Sequence, residues 1–438
     1  MLFSAKNLSL CRCKAWMLGV LLTLGLNLSH GCQSSRAGEK GEVVLRSSFW
    51  GMTQEAKIWE ELAEKFHRTH PNIRIKLEHI TGQNYHSKVL AMTVGNCPPD
   101  VLAADDEPFR QLATSGLYAD LTPFLKNDPQ VDVDAFYKPF QDSFRIEGRP
   151  YALPYIGHCL LIYYNRAHRR AAGLSPDPNP NWTWDEFTSD ARKLTRDLDG
   201  DGRIDQFGLN RLSWFYCLQW IWSAGGSDMD TKMTRYTFDT PEAKQGFQFH
   251  YDHMHKYHIC PMMSDLPNMS WESMFFTGKV SMMMTGSWWL VQVRSAKNLD
   301  WDVAPMPIGP KCRATRATTE GIAISPQSKY PKEAWEWVKF VVSDEGQAVF
   351  AKSGRGIPSV KRVARATFPN PQTPQHEEYF LDALDNYSHI TSIHPHWMET
   401  EQVFNREWDR VYLGQISIDQ FVQRTLPEAN AIVRGESL

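Results

Sequence analysis

The chain has 438 residues, too many for one hydrophobic core, so two domains of ordinary size are expected. Its 47 Lys and Arg against 50 Asp and Glu leave a formal net charge of −3, which offers no field of one sign to hold nucleic acid or an anionic membrane. Aromatic residues make up 12%, with 16 Trp, more than a core requires, and the excess points to a cleft with stacking surfaces.

The first residues read as an address. Lys6, Arg12 and Lys14 precede an apolar run over 15–28, which is too short for a stop-transfer helix and has the layout of a secretory signal. The end of that run, Leu-Ser-His-Gly-Cys32, resembles a bacterial lipobox, in which the cysteine becomes the lipidated first residue. Ser29 and His30 depart from the usual pattern. The expectation is an exported chain with a signal over 1–31 and a lipid anchor and polar tether over 32–41. Setting aside Cys11, Cys13 and Cys32 leaves Cys97, Cys159, Cys217, Cys260 and Cys312, an odd number with no Cys-x-x-Cys spacing. Neither a zinc site nor a disulfide framework is expected, and at most one or two bridges.

A strand over 42–49 leads through Trp50-Gly-Met-Thr into a helix over 54–70, in which Ile58, Leu62 and Phe66 recur at four-residue spacing. A strand over 73–80, a helix over 85–94 and a strand over 101–104 complete a βαβαβ start. Asp105 and Asp106 fall just past that third strand, at the edge where polar groups meet a ligand, although one of them can instead cap the helix that Pro108 begins. At Tyr151 the character changes, and two extended segments, 152–155 and 160–165, are separated by Ile156-Gly157-His158. Thr183-Trp-Asp-Glu186 is a capping box for a helix to about 198, and Thr240-Pro241-Glu242 starts another to about 257. Trp214, Trp220 and Trp222 crowd together before Gly225-Gly226. Strands are expected over 301–305 and 319–325, and helices over 331–342 and 344–353.

Residues 278–289 organise the rest. The apolar run 280–285 reads as a strand buried on both faces of a parallel sheet, the alternative for such a run being helix. Gly286 permits a turn, Ser287 caps the next helix, and Trp288 and Trp289 emerge where open α/β sheets hold their ligands. Two adjacent tryptophans on a helix do not easily face one core together, the alternative being that either is core.

Asp197, Asp199, Asp201 and Asp205 occupy positions one, three, five and nine of a calcium loop, with Gly202 at the sixth and Arg203 among them. Gly208 stands where the bidentate glutamate belongs, so the loop is either a weak calcium site or an Asx-turn connection. No other cofactor is expected. His250, His253, His255 and His258 read as a solvated helix face. No Gly-x-Ser-x-Gly, His-Glu-x-x-His or phosphate loop occurs.

Phe66-His-Arg-Thr-His-Pro-Asn-Ile, Pro98-Pro-Asp-Val with Leu117-Tyr-Ala-Asp-Leu-Thr-Pro, Tyr151-Ala-Leu-Pro, Leu161-Ile-Tyr-Tyr-Asn, 275–288 and Thr319-Glu-Gly-Ile-Ala-Ile-Ser follow one another in an order that resembles the extracellular solute-binding proteins of family 1, the sugar-binding subunits of ABC importers. The resemblance implies an α/β, two-lobed periplasmic-binding-protein-like fold of type II with a ligand cleft between lobes. Lobe 1 would hold 42–153 and 311–360, lobe 2 154–310 and 361–438. Trp50, Asp105, Asp106, Tyr155, Trp214, Trp288 and Trp397 would then line the cleft. Glu320 either hydrogen-bonds a ligand hydroxyl or pairs with Arg355. The implied partners are a mono- or oligosaccharide and the membrane permease, for a monomeric, lipid-anchored protein at the outer face of the membrane. Tryptophan beside Asp, Glu and Arg suits the C–H faces and hydroxyl rim of a sugar. The alternatives are an exported carbohydrate-active enzyme and a surface adhesin.

Overall fold

The computed structural model describes residues 41–51, 53–81, 84–266, 269–368 and 374–436. The signal and lipobox residues, Cys32 included, lie outside the described residues. The chain begins with β1 (Val43–Trp50), α1 (Thr53–Thr69), β2 (Ile73–Ile80), α2 (Tyr85–Val94) and β3 (Val101–Asp105). β1 lies between β2 and β3 and is parallel to both. In α1 the buried stripe is Trp59, Leu62 and Phe66, with Trp59 deeper than Ile58 because the larger ring reaches Tyr155 and Phe350 beneath the sheet.

There follow β4 (Leu153–Asn165), α3 (Trp184–Leu194), β5 (Phe207–Leu209), α4 (Pro241–His255), β6 (Val280–Gly286), β7 (Trp301–Ala304), β8 (Thr315–Ile324), α5 (Pro331–Val342), α6 (Asp344–Ser353), α7 (Trp397–Tyr412) and α8 (Ile418–Val433). The sheet runs β2-β1-β3-β8-β4-β6-β5, with β7 also on β4. It is mixed, not parallel: β8 is antiparallel to both β3 and β4, and β6 is antiparallel to β4 but parallel to β5. β6 is nevertheless buried at all seven residues, as its apolar run requires.

The two extended segments expected around Gly157 are one strand. β4 continues through 13 residues, every one of them buried. Gly157 serves close packing instead of a turn, since a Cβ there would stand 2.1 Å from the Phe140 ring. Gly321 on β8 receives Phe144 in the same way. The first half of β4 pairs with β8 and contributes Leu153, Tyr155 and Ile156 to a core shared with β1, β3 and α5. In its second half Leu160, Ile162 and Tyr164 face a core containing Trp182, Trp214, Trp220, Trp397 and Trp408. Cys159, Leu161 and Tyr163 face the other way, toward Trp289, Trp301 and Phe380, by the two-residue alternation of a strand.

Most of the aromatic excess therefore fills cores: Trp182, Trp214, Trp220, Trp337, Trp397 and Trp408 are all fully buried. The α3 capping box forms as expected, with Thr183 and Glu186 exchanging both bonds, but the helix ends at Leu194. Cys159, Cys217, Cys260 and Cys312 are free thiols.

The histidines of α4 are not a solvated face. Its apolar residues are few, yet it is packed among α3, α7 and α8, and His250 and His253 are fully buried, each bonded through Nε2 while its Nδ1 has no partner among the described residues; His258, beyond the helix, is exposed as expected. His250 Nε2 accepts the Leu212 N–H at 2.9 Å, and His253 Nε2 lies 2.9 Å from Thr188 Oγ1. Burial pushes the His253 imidazole from 6.5 down to about 3. The folded protein thus leaves this ring neutral where the unfolded chain, below 6.5, binds a proton, so stability falls as pH drops below 6.5. The slope is about 1.4 kcal/mol per pH unit for each such histidine. Chemical denaturation between pH 7 and 5 should show this loss, and His253→Leu should flatten the profile by about one proton.

Candidate functional site

The strand ends that gather at the junction of the cores carry polar groups among apolar walls. On β8 the side chains of Arg316, Thr318 and Glu320 share one face by alternation. Glu320 is opposite Asp105 in the β3 pairing. Its Oε1 accepts from Arg355 Nη2 at 2.7 Å, and its Oε2 accepts from Tyr155 OH at 2.5 Å. Arg355 also pairs through Nε with Glu55 Oε2 at 2.8 Å. Burial pushes the Glu320 carboxyl up, but Arg355 and His158 outweigh it and bring it down to about 2. Arg355 as a whole is 9% exposed, and its third nitrogen, Nη1, is buried with no hydrogen-bond partner among the described residues. A fixed cation with one free donor is suited to a ligand oxygen.

Beside it, Arg316 is fully enclosed. Nη2 pairs with Glu107 at 2.6 Å, Nε donates to Thr391 Oγ1 at 3.1 Å, and the guanidinium lies 4.2 Å from the Phe215 ring centre. One side chain thus ties the loop after β3 to residues of the second core. Asp106 accepts from Thr318 Oγ1 at 2.6 Å, and burial, opposed by Arg316, raises its carboxyl to about 6. Asp105 points elsewhere, 3.9 Å from His86 Nε2, and is raised well above the usual range by burial and by Glu107, Asp106 and Glu320. Neither aspartate caps the helix Phe109–Thr114, whose N-cap is Pro108 without a side-chain bond.

Trp50 is the last residue of β1 and stays half-buried, its ring 4.9 Å from Tyr85 and 5.8 Å from His86. Trp288 is also half-buried, and Trp289 is core at 3% exposure. The Trp288 ring folds back over Gly286, where a Cβ would meet it at 2.0 Å, and its edge meets His158 at 5.4 Å. Ser287 does not cap the following turn; its Oγ bonds His158 Nδ1 at 3.0 Å and so fixes the ring against which Trp288 rests.

Three expected ligand contacts are withdrawn into the structure. Trp214 packs on Phe404 at 4.6 Å and gives its indole N–H to Asn405, and Trp397 packs on Phe215 at 5.2 Å. Both belong to one core with Phe404 and Trp408 of α7, the helix that Trp397 itself begins. Tyr155 is buried at 1% exposure, with its hydroxyl spent on Glu320. The loop aspartates behave as an Asx-turn connection: Asp197 accepts from Gly200 and Gly202 N–H, Asp199 from Asp201, Asp201 from Arg203, and Asp205 from Leu198. Oxygens of Asp197, Asp199 and Asp205 come within 4.8 Å of one another, with Asp201 outside the group. Glu55, Glu107, His158 and Arg316 went unremarked in the sequence, although polar residues alternating through Arg316-x-Thr318-x-Glu320 were a readable signal.

Residues 50–348 match the bacterial extracellular solute-binding protein family, and the chain belongs to it. A binding protein of Brucella abortus is 22% identical over 428 residues, covering 96% of this chain and 99% of that one. The maltotriose-binding protein of Pyrococcus abyssi is 25% identical over 271 residues, 61% of this chain and 54% of that one. The structure is similar, with a TM-score of 0.81 at 20% identity, to an ABC substrate-binding protein from Listeria monocytogenes in complex with cycloalternan. That likeness covers 90% of this chain and 99% of that chain, and the α/β fold is of the two-lobed type II class.

Removing Glu320 leaves a buried Arg355 with one carboxylate in place of two. Glu320→Ala should cost about 3 kcal/mol in a urea titration, whereas Glu320→Gln, which keeps an acceptor for Tyr155, should cost less.

Proposed function

We propose that this protein is the substrate-binding component of a carbohydrate ABC importer, capturing a mono- or oligosaccharide at the junction of its cores and delivering it to a membrane permease. The observation that carries the reading is Trp288, half-buried and propped against His158, with Glu320 of β8, itself near His158, gathering Arg355 and, through it, Glu55 of α1. An indole face packs against sugar C–H groups, and a buried guanidinium with a free N–H satisfies a hydroxyl oxygen. Trp50 offers a second ring at the end of β1. The relatives support this reading, one described as maltotriose-binding and another in complex with cycloalternan.

In this reading the core built on β1, β3 and α5 and the core around Trp214 are the two lobes, joined through β4 and β8. The side chain of Gln111 bridges them: its Nε2 donates to both Glu399 oxygens at 3.2 Å and its Oε1 accepts from Met398 N at 3.2 Å. Such contacts favour the closed state, and ligand would add to them. In this reading the protein binds its sugar without transforming it, in keeping with the solute-binding family to which the chain belongs. In this reading it is exported and held at the membrane as a monomer by two or more acyl chains on Cys32, ahead of a polar tether.

A thermal-shift screen of mono- and oligosaccharides tests the reading. A sugar at a hundred times its Kd adds about 2.7 kcal/mol to stability, readily seen as a rise in Tm. Trp288→Ala should then weaken binding about thirtyfold, roughly 2 kcal/mol, with the fold retained; unchanged affinity would place Trp288 in the core. Mass spectrometry of the native N-terminus should find an acylated Cys32, and an unmodified chain beginning elsewhere would refute the anchor.

A further inference from the structure

A cavity of about 310 Å³ opens beside Asp106, with Phe109, Arg110 and Arg145 on one wall and Met229, Asp230 and Thr391 on the other. Its walls come from different cores, Phe109 belonging to that of β1 and β3, Met229 to that of Trp214. The cavity is continuous in chemistry with the junction: Asp106 bonds Thr318, and Thr391 bonds Arg316. From Glu320, next to Arg355, to Arg316 is four residues of regular strand, about 13 Å. That exceeds one sugar ring and matches a short chain of them.

Accepting the carbohydrate reading, on which this rests, we infer that the ligand is an oligosaccharide of two or more neutral rings whose far end occupies this cavity. The volume is at the small end of ligand sites, about 300–1,000 Å³, and fits a terminal unit better than a whole oligomer. Arg110 is half-buried, and it has no hydrogen-bonded acid partner among the described residues. Burial also lowers its pKa, so a ligand oxygen would supply what the fold does not. Charges of both signs face the space, Arg110 and Arg145 against Asp106, Asp142 and Asp230. A uronic acid would meet the three carboxylates and an amino sugar the two guanidinium groups, whereas neutral hydroxyls can donate to one set and accept from the other. Phe109 and Met229, both almost wholly buried, back the space with apolar side chains.

The test is calorimetry of the mature protein with mono-, di-, tri- and tetrasaccharides of glucose, mannose, galactose, xylose and arabinose. Affinity should rise at least tenfold from the monosaccharide to the trisaccharide of the preferred sugar. Arg110→Ala and Arg145→Ala should each remove much of that gain and leave the monosaccharide affinity unchanged, with circular dichroism confirming the fold. A monosaccharide that binds as tightly as its trimer overturns the inference and leaves the carbohydrate reading standing. A length-dependent gain that survives both variants places the far end elsewhere and also overturns it. Failure of every saccharide to bind overturns both.

Discussion

β4 and β8 lie side by side at the meeting of the cores, enclosed on both faces, and every polar side chain they carry there must be neutralised where it stands. An unpaired charge buried in such a place would cost several kcal/mol. The response is visible residue by residue. Glu320 takes Arg355, Tyr155 and a nearby His158; Arg316 takes Glu107, Thr391 and the face of Phe215. These pairs make the junction specific, since each joins elements distant in sequence.

The same constraint shapes what the junction can offer a ligand. Because Arg355 is gripped by two carboxylates, its remaining N–H direction is fixed before a ligand arrives, and little ordering is left for binding to accomplish. Trp288 is prepared in a similar way, by the absence of a Cβ at Gly286 on one side and by His158, itself oriented by Ser287, on the other. A rigid aromatic plate next to a rigid donor suits a molecule that is at once apolar on its faces and polar at its rim. Asp105 and Asp106, raised by burial and crowding, are the groups whose charge a ligand's hydroxyl donors would most relieve.

Much was legible in the sequence because it depended on local physics. The βαβαβ start, the capping box at Thr183 and the proline-led helices α4 and α5 follow from periodicity and terminal residues, which operate within a few positions. The burial of β6 followed from its short, largely apolar run. The half-buried state of Trp288 beside a buried Trp289 followed from two rings that diverge on a helical turn. Family resemblance added the architecture, which no local pattern contains. What it implied for single residues carries no such detail: Trp214, Trp397 and Tyr155 are buried.

By itself the sequence determined element type, the apolar runs and the charge balance, since these depend on neighbours along the chain. Only the tertiary structure decided which polar residues face each other. Gly157 reads as a break until Phe140 is seen to lie over it, and the histidines of α4 read as solvated until other helices close around them. Glu320 was open between a ligand hydroxyl and Arg355; the fold pairs it with Arg355, 35 positions away, and adds Tyr155, 165 positions away. The reason is that burial and pairing are set by residues brought together from afar, and the pattern within one segment carries no record of what will cover it.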